Sequence, residues 1–216
     1  MTLRLADSSE RDDLGAFTAR VVRLDQTAHV RLRASAERVT AWAATPFDVL
    51  ATRSVAGVME PDDVTVDAAA LLTALAVDRS EEIDPGPGFG LWAGELPPDG
   101  GWALVDDVPA AELERLTERG LALAREHGSA HGPPSSLLDQ TVLTVTGSGA
   151  RGGVKVPMRA LFALSGMGFL GGADTGAGLA GETPVVRISA TGSWMRLDAR
   201  YGAVVRRRIM SLPLFT

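Results

Sequence analysis

Gly147, Gly149 and Gly152 spell GxGxxG directly after the apolar run Thr141–Thr146. A glycine turn in that position can present backbone N–H groups to a phosphate, and Arg151 and Lys155 would add positive charge. Three features point away from a dinucleotide. Val154-Lys155-Val156 continues as strand before Pro157 can open a helix, and no acidic residue stands where the ribose contact belongs. The corresponding loop of the first half, Val58 to Asp63, is acidic and could not hold a phosphate. A hairpin loop is the plainer reading. A second match, Gly166, Gly168 and Gly171, lies at the end of a helix and is discarded.

Other look-alikes fare no better. Asp174-Thr175-Gly176 is the aspartic-protease triplet, whose chemistry needs two carboxylates sharing one proton on turns that follow apolar strands. Here Gly171-Gly172-Ala173 precede it, a setting in which the triplet arises by chance. His127 and His131 have the helical spacing of two metal ligands, but Gly128, Gly132, Pro133 and Pro134 end the helix between and after them. With no cysteine there is no thiolate nucleophile, disulfide or cysteine zinc site. No metal and no cofactor is expected, and the balance leans away from an enzyme.

Arginines on the last strands carry more. If Thr191-Gly192 is a two-residue hairpin turn, Ile188 faces Met195, Val186 faces Leu197, and Arg187 stands opposite Arg196 on the outer face. Like charges so placed destabilise a sheet unless something anionic lies between them. Arg206 and Arg208 share a face of the next strand, and Trp194 lies nearby. Arg187, Trp194, Arg196, Arg206 and Arg208 are therefore the candidate partner-binding set, against the blander reading of a solvated arginine face. The expected partner is a second copy of the chain or an acidic protein surface. A net charge of −6 and a single tyrosine disfavour nucleic acid.

The elements that must position these residues form an α+β pattern, with mixed or antiparallel sheets and packed helices. Leu14, Phe17, Val21 and Leu24 have helical spacing, with Ser9 and Asp12 resembling a capping box. Strand-like runs follow at 28–34, 38–44 and 47–57. Asp67 can cap a helix at 68–77 after the short strand Val64–Val66. Pro109 suits the first turn of a helix reaching about 127, and Gly120 on its apolar stripe marks a close neighbour. Strands near 139–146 and 154–156, a helix at 157–169 and strands at 184–190, 193–199 and 203–210 complete the chain. Residues 80–101 and 171–182 read as loops with little to bury.

At an offset of 90 residues, Ser54-Val55-Ala56-Gly57 aligns with Thr144-Val145-Thr146-Gly147, Val64-x-Val66 with Val154-x-Val156, and Ala70-Leu71-Leu72 with Ala160-Leu161-Phe162. A pseudo-twofold duplication would give two halves, 1–107 and 108–216, packed as one unit; chance similarity of a Val-x-Val before a helix is the alternative. Charge divides along the chain as well. Residues 1–128 hold 12 Arg against 23 acids, and residues 129–216 hold nine basic residues against four acids, giving −11 and +5, which sum to −6. Either the halves attract each other, or a basic face meets an anionic partner.

The use of 20 Arg against the single Lys155 suggests a GC-rich, bacterial genome rather than arginine chemistry. No apolar run reaches the length of a membrane span, so a cytoplasmic protein is expected. The function these features suggest is a non-enzymatic binding or assembly module using a basic C-terminal sheet face. The alternative is an enzyme or sensor taking a phosphorylated small molecule at loop 147–155.

Overall fold

Seven residues set the middle of the molecule. Val66, Val30, Ala43, Ala51, Val204, Leu197 and Ile188 are cross-strand neighbours in one row, and all seven are fully buried. They come from seven strands that span most of the chain, and they share a side because alternate residues of each strand point to one face. The computed structural model describes residues 1–77, 82–90, 92, 94–127, 132–147, 153–171 and 184–208.

In chain order the elements fall into four units. The first holds β1 (Thr2–Leu5), α1 (Ser8–Leu24), β2 (His29–Ser35), β3 (Arg38–Thr45) and β4 (Val49–Glu60). The second is shorter: β5 (Asp63–Asp67), α2 (Ala68–Val77) and β6 (Gly88–Phe89). The third has β7 (Ala103–Pro109), α3 (Ala110–His127), a single turn α4 (Ser135–Leu138) and β8 (Thr141–Val145). The fourth is again long, with β9 (Val154–Pro157), α5 (Met158–Gly166), β10 (Val185–Ala190), β11 (Trp194–Ala199) and β12 (Gly202–Arg207). Each unit opens on a strand followed by a helix. Long, short, short, long is the order, so the halves mirror each other.

Pairing follows the same symmetry. The opening strand of the second unit, β5, pairs with β2 of the first, and the opening strand of the third, β7, pairs with β10 of the fourth. The last strands of the two long units, β4 and β12, pair with each other. One ten-stranded sheet results, in the order β6-β5-β2-β3-β4-β12-β11-β10-β7, with β1 beside β4; β8 and β9 form a separate ribbon. Every pairing among the described residues is antiparallel, so the mixed sheet is set aside in favour of a wholly antiparallel one. The helices cover one face, α1 packing on α2 and β4, and α5 on α3, β4 and β12. The fold is α+β with an internal duplication. The segments aligned at 90 residues share the order strand, strand, helix, although β8 pairs with β9 whereas β4 pairs with β3, β1 and β12.

Several local readings hold and several shift. Asp67 caps α2 as expected, its side chain accepting from the Ala70 N–H. Asp7, rather than Ser9, caps α1 by accepting from the Glu10 N–H. A methyl group on Gly120 would meet Phe162 at 3.1 Å, the close neighbour its stripe implied. Strand β7 fills the stretch between the expected loop, which ends at 101, and the expected helix start at Pro109, so the helix begins at Ala110. Gly88–Phe89 and the run from Trp92 to Trp102 also depart from the reading of 80–101 as a segment with little to bury, because Trp92, Leu96 and Trp102 pack on the sheet. The loop at 171–182 lies outside the described residues apart from Gly171.

One surface pair ties stability to pH. Arg31 donates to both carboxylate oxygens of Asp63 at 2.8 and 2.7 Å across the β2–β5 pairing. That hydrogen bond, with the charges of Arg31 and Arg33 behind it, holds the Asp63 carboxyl below its ordinary range. A depressed carboxylate contributes stability above its unfolded pKa and loses it as pH falls through the folded value. Acid titration of Asp63→Asn should therefore show a shallower loss of stability below about pH 4 than the parent chain does. An identical acid limb would show that the pair contributes nothing.

Candidate functional site

Alternation also decides what lies on the face away from the helices. Phe89, Thr65, Arg31, Trp42, Thr52, Ala203, Asp198, Arg187 and Asp107 form one cross-strand row there. Leu50, Val205 and Arg196 form the next. Where β4 meets β12 this face carries an apolar patch of Trp42, Trp194 and Val205, flanked by Leu50. Over it runs the connection between the halves, which contributes Trp92, Leu96 and Trp102. All four tryptophans of the chain thus meet at the junction of the halves.

Beside this patch opens a cleft of about 320 Å³. The β3–β4 turn supplies Ala44, Thr45, Asp48, Val49 and Leu50, the connecting strap supplies Gly94 and Glu95, and the second half supplies Trp194 and Val205 to Arg208. Both halves build it. Asp48 shapes its wall from the left-handed region at φ 57, a conformation an aspartate tolerates better than most side chains. Below the turn, the buried Arg159 of α5 donates from Nε and Nη2 to Asp139 Oδ1 at 3.0 and 2.6 Å, and from Nη1 to the Phe47 carbonyl at 2.8 Å. It also lies 3.5 Å from Asp48 Oδ2.

The candidate arginines are placed differently from the expected single row. Ala190 faces Met195, so the hairpin register is two residues from the Thr191-Gly192 reading, and Arg187 stands opposite Asp198 instead of Arg196. The cause is local: the Thr191 hydroxyl accepts from the Ser193 and Trp194 N–H groups, and the Thr191 N–H donates to the Trp194 carbonyl, which widens the turn. Like-charge opposition disappears. Arg196 donates to Asp198 at 2.7 Å and lies over the Trp102 ring at 6.0 Å, and Arg187 meets Asp107 at 3.3 Å. Arg206, opposite Met195, points to the helix side, where it bonds Asp48 at 3.1 Å. Arg208 donates to the Thr191 and Gly153 carbonyls, both at 3.0 Å. Arg207, not singled out from the sequence, is the one beside Trp194: it lies over that ring at 5.3 Å and pairs with Glu95 of the strap.

Part of the charge asymmetry is met within the chain. Arg159, Arg187, Arg206 and Arg207 all pair with acids of residues 1–128, namely Asp48, Asp107 and Glu95. Of the glycine-loop candidates, Gly149, Arg151 and Gly152 lie outside the described residues, as do Asp174, His131 and the side chain of His127. Lys155 is exposed on β9. Gly147 has a steric role, because a Cβ there would collide with the Val105 carbonyl of β7. Gly147→Ala should lower stability by about 1–3 kcal/mol through backbone displacement. Thermal melting with and without inorganic phosphate checks this, and an unchanged midpoint would remove the steric role.

Comparison with known proteins fits this architecture. Residues 97–211, more than half of the chain, match the family described as a domain of unknown function, DUF8185. The chain belongs to that family. Residues 1–94 match a second domain of unknown function, DUF8010, so the boundary between the two matches falls in the strap. Among curated proteins none matches. Solved structures similar to this DUF8185 chain include three sliding clamps. The DNA polymerase sliding clamp of Pseudomonas aeruginosa with ligand has a TM-score of 0.56 at 15% identity, covering 99% of this chain and 66% of that one. The beta sliding clamp of Caulobacter crescentus, with polyethylene glycol at a region ascribed to beta-motif tethering, gives 0.58 at 16% over 99% and 66%. The clamp of Bartonella birtlesii bound to griselimycin gives 0.56 at 16% over 99% and 66%.

At this identity the likeness establishes the fold, and the DUF8185 chain spans 66% of the length of those clamps. One expectation falls with it. Disfavouring nucleic acid on net charge and aromatic content does not stand for a chain with the fold of DNA polymerase sliding clamps. Its reason was too coarse, since whole-chain charge says little about any single surface. No helix among the described residues is long and apolar enough to cross a membrane.

Proposed function

We propose that this chain is a non-enzymatic binding and assembly module whose docking site is the cleft between its halves. The observation that supports it most is the composition of that cleft. An apolar floor of Leu50, Val205 and Trp194 lies against arginines at the end of β12. Ligand sites favour such concave junctions between structural units, mostly apolar with a few placed polar groups. Guanidinium groups carry several N–H donors and no acceptor, so they can hold a partner's backbone carbonyls. Arg208 already does this with Thr191 and Gly153, and Arg159 with Phe47. The partner suited to this surface is an extended peptide segment that seats an apolar side chain on the floor. A fold shared with DNA polymerase sliding clamps makes a role in assembly on a DNA-associated complex the natural setting.

Ala44 offers a clean test, being exposed on the cleft wall. Peptides selected from a random displayed library against the chain should share an apolar anchor and bind Ala44→Trp at least tenfold more weakly. If the selected peptides bind that variant as well as the parent, the cleft is not the docking site.

A further inference from the structure

The strap crosses the tryptophan patch with a run that reads Glu95-Leu96-Pro97-Pro98-Asp99. Leu96 packs on the cluster of Trp42, Trp194 and Val205, and Pro97 beside it is buried although no helix or strand holds it. Prolines carry no N–H and fix φ at about −65°, so the run favours the extended polyproline conformation. Trp102 Nε1 donates to the Pro98 carbonyl at 3.1 Å. Among the described residues no backbone hydrogen bond joins 94–102 to the sheet. Side chains hold it instead: Arg207 pairs with Glu95, and Arg33 lies 3.6 Å from Asp99, those carboxylates being 65% and 88% exposed. Exposed pairs of this kind hold weakly. On the sheet, Thr52 stands between Trp42 and Ala203 in the outer row, only 3% exposed, and its Oγ1 takes no hydrogen bond among the described residues. Trp92 Nε1, buried at the same cluster, has no partner there either.

We propose that the outer sheet face at the junction recognises proline segments, that Leu96-Pro97-Pro98 is its resident ligand, and that a partner segment with an apolar residue followed by prolines takes its place. This inference deepens the docking reading above and rests on it. It accounts for the burial of Trp194 and Val205 in the free chain, since Leu96 already packs on them. Aromatic-lined surfaces suit proline-rich segments, which are extended beforehand and lose little entropy on binding. Thr52 Oγ1 and Trp92 Nε1 mark an imperfect seat, because a buried polar group without a partner costs stability. A partner that lifts the strap frees the Thr52 hydroxyl to meet one of its own backbone carbonyls. Tethering keeps the strap at a millimolar effective concentration, so access depends on how firmly its side chains hold.

The probe is a fluorescein-labelled synthetic peptide of residues 94–102, titrated into the parent chain and into Leu96→Asp, which loosens the strap. Leu96→Asp should bind it about tenfold more tightly than the parent does. A peptide with alanine at both proline positions should bind Leu96→Asp about tenfold more weakly than the unaltered peptide. A second variant guards against a folding defect in the first. Arg33→Cys with Asp99→Cys, joined by a short bismaleimide in this otherwise cysteine-free chain, pins the strap. The pinned chain should bind the peptide about tenfold more weakly than the same chain unjoined. Equal binding to parent, Leu96→Asp and pinned chains would overturn the strap as resident ligand. Equal binding of the alanine peptide would overturn proline recognition, and no binding to any chain would overturn both. In each case the docking reading survives if display-selected peptides remain sensitive to Ala44→Trp, and falls as well if they do not.

Discussion

Replacing Trp42 with alanine is expected to lower stability by about 3–5 kcal/mol, the range for removing a large buried aromatic side chain. Trp42 is only 6% exposed, and its neighbours Trp194 and Val205 come from the other half of the chain. Trp92, Leu96 and Trp102 close over it from the strap. Its removal therefore leaves a void where both halves and their connection meet. A thermal midpoint lower by roughly 6–20 °C follows for a chain of this size. Val77→Ala, at a position 74% exposed, serves as the control and should stay within about 0.5 kcal/mol. If Trp42→Ala loses less than about 1 kcal/mol, the strap does not hold the junction.

Asp139→Ala is expected to cost about 3 kcal/mol, because it strands a guanidinium that has little access to water. The Arg159 side chain is 10% exposed, whereas that of Asp139 is 50% exposed. The penalty therefore falls on the arginine left behind. Arg159→Leu removes the buried charge itself and should cost less, even though the Phe47 carbonyl loses a donor. The order of the two variants, rather than either value alone, carries the test. Chemical denaturation of both would show it, and equal losses would indicate that the pair acts through packing. Since Arg159 also faces Asp48 on the cleft wall, Asp139→Ala should loosen the β3–β4 turn as well.

Much of this architecture was legible in residue patterns. Val30 and Leu32, alternating with His29, Arg31 and Arg33, place β2 with one face buried, and the helical stripe from Leu14 to Val21 does the same for α1. The 90-residue offset captured a real correspondence of element order. Strand β7 escaped notice because Asp106 and Asp107 interrupt the alternation, and the ladder beside them shifts register between Ile188 and Ser189. The arginine row failed for a different reason. A Thr-Gly pair suggests a two-residue turn, but the Thr191 hydroxyl captures two backbone donors and moves the register by two. Faces were preserved and partners changed, so predicted repulsion became ion pairing. Of the cleft's lining, Trp194, Arg206 and Arg208 were marked by the sequence, whereas the contribution of the β3–β4 turn and of the strap had no sequence signal. Trp42, Trp92, Trp102 and Trp194 show no common spacing, and only the antiparallel meeting of β4 and β12 brings them together.

Backbone and side-chain NMR of the isotope-labelled chain, titrated with a display-selected peptide, tests the docking cleft most directly. Shifts should appear together on Ala44 to Leu50, on Glu95, and on Trp194 and Val205 to Arg207, because both halves line the site. The Trp194 indole should respond most clearly, and Ala44→Trp should erase the pattern. Shifts confined to one half, or centred on the helix face around α1 and α3, would contradict a docking site at the junction.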